Sequence, residues 1–68
     1  MTSEELVDLR VRLGLSQAEF SSLIGYLPMF YRGLEAGDLP ITPVIERRVH
    51  RIVAQILEKR DQRPHEDL

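Results

Sequence analysis

The sequence predicts an all-α fold: a small bundle of four main helices, the last of them long. Three observations carry this. Apolar residues recur at three- and four-residue spacing in successive stretches, as one face of a helix requires. Each stretch opens on a residue that starts helices: Thr2 or Ser3, then Ser16, then Pro28, then Thr42 followed by Pro43. Gly14, Gly25 and Gly37 close the first three. With 68 residues the chain makes one domain, and folding at this size buries only about 60% of the surface the unfolded chain exposes.

The first helix is expected over about residues 3 to 13, with Glu4 and Glu5 in its first turn favouring the positive end of the helix dipole and Leu6, Leu9 and Leu13 on one face. Ser16 caps the second helix, and Glu19 three positions on completes a capping box. Phe20, Leu23 and Ile24 form its apolar stripe, and the small Ser21 lets another helix approach. Gly25 falls where a tight turn needs a positive φ. The fixed φ of Pro28 suits the first position of a third, short helix over about 28 to 36. In that register Leu27, Tyr31 and Leu34 point inward, Pro28, Met29, Arg32, Gly33 and Ala36 point outward, and Phe30 lies on the flank. From Thr42 and Pro43 to about Arg60 the stripe Ile45, Val49, Ile52, Ile56, with Val44, Val53 and Leu57 beside it, predicts a long final segment; periodicity leaves open whether it is one helix or two. Residues 1–60 thus form the domain, and 61–68, with few apolar side chains and Pro64, are expected to be a disordered tail.

Composition sets outer limits. A hydrophobic share of 43% and a charged share of 29% belong to a soluble globular domain, with no apolar run long enough for a membrane span. The absence of cysteine removes disulfides and thiolate metal sites. The polar start MTSEEL is no secretory leader, so a cytoplasmic location is expected. A formal charge of −2 fits a nucleic-acid binder poorly as a sum, but the acids gather at the two ends and Arg32, Arg47, Arg48 and Arg51 lie between them. No nucleophile, base and orienting group occur together, and His50 and His65 lack ligand-spaced partners. No enzymatic activity, cofactor or metal is expected.

Helix, three-residue turn, helix, with glycine in the turn, is the helix-turn-helix pattern. The stretch LGLSQAEFSSLIGYLPMFYRGLEAG resembles that of the Cro/cI-type (XRE-like) repressor family, over roughly residues 5 to 52. The resemblance rests on Arg10, the run Leu13-Gly14-Leu15-Ser16-Gln17-Ala18-Glu19, Gly25, and Glu35-Ala36-Gly37. It implies a lambda-repressor-like helix-turn-helix bundle, a recognition helix in the major groove, and a homodimer on a palindromic operator. It further implies that Gln17 anchors a phosphate, that the outward face of residues 28 to 33 meets the bases, and that Arg10 and Glu35 form a structural ion pair. Ser16 is first a cap, although a cap hydroxyl at a helix N-terminus also faces phosphate readily.

The reading face departs from the family. Pro28, Met29, Phe30 and Gly33 cannot make the bidentate hydrogen bonds that separate G·C from A·T, and only Arg32 can. The loop GDLPITP lacks the cations that the family often carries there. Three readings of Met29 and Phe30 stay open: apolar readout of thymine methyl groups, ranked first; a protein-binding patch with Leu27, ranked second; or, for Phe30, folding back onto Tyr26 as core. Arg47, Arg48 and Arg51 lie opposite the Ile45–Val49–Ile52 stripe, as a solvated face or with one of them on phosphate. Val53, Ile56 and Leu57 exceed what three short helices cover and are expected to form a dimer interface.

The functional expectation is a sequence-specific transcriptional regulator, a homodimeric repressor or autorepressor of phage or mobile-element type, bacterial or phage-encoded, binding double-stranded DNA. The alternative is a protein-interaction module, antitoxin-like, that grips a partner protein through Leu27, Met29 and Phe30. With few cations per subunit, its binding to DNA should depend on salt less steeply than that of a strongly basic repressor.

Overall fold

In the computed structural model, which describes residues 1–61, four α-helices follow one another, and no strand occurs among the described residues. They are α1 (Ser3–Arg12), α2 (Gln17–Ile24), α3 (Pro28–Ala36) and α4 (Pro43–Asp61). The final segment is therefore one helix, and it reaches Asp61, one position into the expected tail. Residues 62–68 of that tail lie outside the described residues.

Local chemistry accounts for the boundaries. Thr2 Oγ1 accepts from the Glu5 amide at 3.1 Å, and Glu5 returns the bond by accepting from the Thr2 amide at 2.7 Å. Ser16 and Glu19 repeat this reciprocal box at α2, with distances of 3.0 and 2.8 Å. The backbone hydrogen bonds these carboxylates accept hold Glu5 and Glu19 below the usual carboxylate range. Helix α3 has no side-chain cap, and Pro28 at its first position leaves no intrahelical donor to satisfy. Gly25 and Gly37 end α2 and α3 at φ of 92° and 83°, a left-handed conformation that a Cβ would strain.

The core consists of Leu6, Leu13, Phe20, Ile24, Tyr31, Leu34, Ile45 and Val49, with the small Ser21 fully buried among them. Phe20 and Tyr31 meet edge to face, centroids 5.8 Å apart, which fixes α3 on α2. Two residues expected inside lie outside. Leu23 is half exposed because the buried arc of α2 runs through Phe20, Ile24 and Ser21, and Leu23 falls beyond its other edge. Leu27 is 77% exposed: it is the N-cap, in extended backbone at ψ 144°, so helical register does not govern its side chain. At the far end of α4, Arg60 Nη2 donates to the Leu13 carbonyl at 2.8 Å, tying α4 to the end of α1.

Candidate nucleic-acid interface

Glu35, near the end of α3, gathers three side chains, from α1, from α2 and from α3 itself. Arg10 of α1 donates to it twice, from Nε to Oε2 at 2.6 Å and from Nη2 to Oε1 at 3.1 Å, the paired geometry a guanidinium favours. Gln17 Nε2, at the first turn of α2, donates to Oε1 at 2.8 Å, and the Tyr31 hydroxyl, one turn back on α3, donates to Oε2. The third arm of Arg10, Nη1, reaches the Leu15 carbonyl at 2.8 Å in the α1–α2 connection. The expected Arg10–Glu35 pair is therefore present, with side chains only 15% and 5% exposed. Burial works against the ionised carboxylate, but hydrogen bonds from Arg10, Tyr31 and Gln17 outweigh it and leave Glu35 below its ordinary pKa. The bond to Glu35 raises the Arg10 pKa. Burial, then the hydrogen bond to Glu35, raises that of Tyr31. The chemical result is a rigid joint between the start of α2 and the body of α3.

The same joint turns Gln17 inward. It is half-buried with an N–H committed to Glu35, so contact with a phosphate would fall to the other N–H of its carboxamide. Ser16 accepts from Glu19 as a cap, at the outward end of α2.

On the outer face of α3, Met29 is 84% exposed, and Pro28 and Arg32 are exposed beside it. Phe30 lies on the flank as expected; its ring sits 5.2 Å from that of Tyr26 at a tilt of 59°, and the residue keeps 38% of its surface open. Gly33 departs from the expected outward position. The Leu39 side chain, from the α3–α4 loop, lies over it, and a Cβ at residue 33 would stand 2.7 Å from Leu39 Cδ1. The loop thus covers the C-terminal part of the face, and Leu39 presents methyl groups where α3 itself presents none.

Two features escaped the sequence reading. Arg48 of α4 lies over the Tyr26 ring, its guanidinium carbon 5.2 Å from the centroid, which puts Phe30, Tyr26 and Arg48 in one row of contacts. Alongside it a groove of about 310 Å³ is lined by Val44, Arg47, Arg48 and Arg51. On the other side of α4, Val53 and Leu57 join Leu9, Ala54 and Met1 around a larger groove of about 490 Å³, rimmed by Glu5, Asp8, Arg12 and His50. Val53 and Ile56 both pack half-buried against the core while Leu57 is exposed, and Ile56 does not line this groove.

Among the described residues no group of three His, Asp or Glu side chains could hold a metal ion, and no helix is long and apolar enough to cross a membrane. Comparison with known proteins returns no match to any family model, curated protein or solved structure.

Proposed function

We propose that this chain is a sequence-specific DNA-binding regulator with a lambda-repressor-like arrangement of its helices, a homodimeric repressor or autorepressor acting on double-stranded DNA in the bacterial cytoplasm. The reading rests on its Cro/cI-type sequence pattern, and one structural observation supports it above the others. The hydrogen bonds of Arg10, Gln17 and Tyr31 to Glu35 hold the N-terminus of α2 at a fixed offset from α3 while Pro28, Met29 and Arg32 stay outward. A protein that sets one helix in the major groove and a neighbouring helix start on the phosphates needs that fixed offset. In this role Arg32 supplies the polar base or phosphate contact, and Met29, with Phe30 beside it, packs on thymine methyl groups. Val53 and Leu57, at the open groove beside α1, meet a second copy across a two-fold axis, and Ile56 backs them from the core side.

A second reading has its own support. Leu27 and Met29, at 77% and 84% exposure, with Phe30 beside them at 38%, leave apolar surface suited to a protein partner. Substituting Arg32→Ala and Gln17→Ala separates the two. For a DNA reader, duplex affinity falls about tenfold or more for Arg32→Ala, and less for Gln17→Ala, whose loss is shared with the joint. Unchanged duplex affinity in both would leave the protein-partner reading standing.

A further inference from the structure

The nine cations of the chain are unevenly employed. Arg10 is held by Glu35, Arg12 by Asp8, and Arg60 by the Leu13 carbonyl. Arg47 and Arg51 are exposed, and no carboxylate among the described residues pairs with either, or with Arg48. Val44, Arg47, Arg48 and Arg51 follow at i, i+3, i+4 and i+7, so they form one face of α4 and line one shallow groove. This grouping is costly in a helix, because like charges at i, i+4 repel. Here Arg47 and Arg51 stand at that spacing in a chain whose net charge is −2.

The position of the face says what it meets. Arg48 lies over Tyr26 in the α2–α3 turn, and Tyr26 lies against Phe30 in the first turn of α3. The arginine face therefore adjoins the N-terminal end of α3, on a different face of α4 from the groove lined by Val53 and Leu57. A duplex lying along α3 that extends past Pro28 runs onto it. The Tyr26 ring positions the Arg48 guanidinium, which lowers the entropy lost when it engages a phosphate.

We propose that Arg47, Arg48 and Arg51 form a second DNA contact, a clamp on the phosphate backbone of duplex flanking the base pairs read by α3. The inference rests on the DNA-binding reading and adds a surface outside the helix-turn-helix. The clamp carries no base information, so it lengthens the footprint and raises affinity without altering the preferred sequence. Because the chain has few cations, these also carry a large share of its salt dependence.

The test uses the full chain and fluorescent duplexes bearing its selected site, either cut at the ends of the site or extended by about six base pairs, across a salt series. Arg47→Gln/Arg51→Gln leaves the Tyr26 stack intact, and Arg47→Lys/Arg51→Lys restores the charge. The clamp predicts that the wild type prefers the extended duplex and that the Gln variant loses about tenfold in affinity, with a log–log salt slope shallower by about two per subunit. It predicts too that the variant no longer distinguishes the duplexes, that the Lys variant recovers most of the loss, and that the selected sequence is the same in all. A Gln variant with wild-type affinity, slope and length dependence overturns the clamp alone. A wild type that binds no duplex even at low salt overturns the clamp and the DNA-binding reading together.

Discussion

The two faces of α3 invert the usual order of a surface helix. Inward it carries a carboxylate, Glu35, only 5% exposed, beside Tyr31 and Leu34; outward it carries Met29, 84% exposed, with Pro28 and Arg32 exposed beside it and Gly33 covered by Leu39. Buried charge is retained where every lone pair finds a donor, and here Arg10, Gln17 and Tyr31 supply them. What this brings is orientation more than stability, since desolvation offsets much of the attraction. Pro28 opens the helix and Gly33 makes room for Leu39, whereas the exposed Met29 and Arg32 side chains lie outside the core. In the proposed DNA-binding reading, the inner face aims the helix and the outer face is the surface being aimed.

The contrast can be broken from the inside first, where effects are largest. Glu35→Ala leaves the Arg10 guanidinium, the Tyr31 hydroxyl and the Gln17 amide without their shared acceptor, and should cost about 3–5 kcal/mol in urea unfolding. A loss under about 1 kcal/mol would mean that water replaces the joint at little cost. Acid should act through the same group. The folded-state pKa of Glu35 is depressed below its ordinary 4.5, so its contribution is present above that pH and lost as pH falls through the lower folded value. Glu5, Glu19 and Glu46 are depressed as well, so the informative quantity is the difference between wild type and Glu35→Gln. That difference should shrink as pH falls below about 4.5, and a constant difference down to pH 3 would contradict the assignment. Tyr31→Phe removes one donor and keeps the ring against Phe20, for a loss of about 1–2 kcal/mol.

Outside, the same measurements should barely respond. Met29→Ala is expected to change unfolding free energy by less than about 0.5 kcal/mol, since the side chain supports nothing in the fold. Gly33→Ala gains helix propensity but pushes on Leu39, whose displaced atom is the far end of a flexible side chain in a loop; the two effects should nearly cancel in stability. Leu39 methyl signals should shift while those of the core stay in place.

What could be read ahead of the structure was the chemistry that acts over three or four residues. The box at Ser16, the prolines that open α3 and α4, and the glycines that close α2 and α3 each announce themselves within one turn, whereas the structure decided between Thr2 and Ser3 as the cap of α1 and showed its box with Glu5. Tyr31 and Leu34 followed from the register, while Leu27, one position before the register begins, did not. The Arg10–Glu35 pair came from the family resemblance; periodicity alone could not join residues so far apart in sequence. Gln17 turning to Glu35, Leu39 folding over Gly33 and Arg48 stacking on Tyr26 depend on how whole helices and loops are set against one another. Register places Gly33 outward, and register does not see a loop side chain folding over it.

The central claim is that the outer face of α3 reads duplex DNA. Its most direct test is selection of bound sequences from a random duplex pool with the purified full chain at near-physiological salt. The account predicts an enriched inverted repeat, its half-sites about one helical turn apart, with T at the steps that Met29 and Phe30 meet. A pool that emerges no different from the one that entered would contradict it, and would give the apolar face to a protein partner.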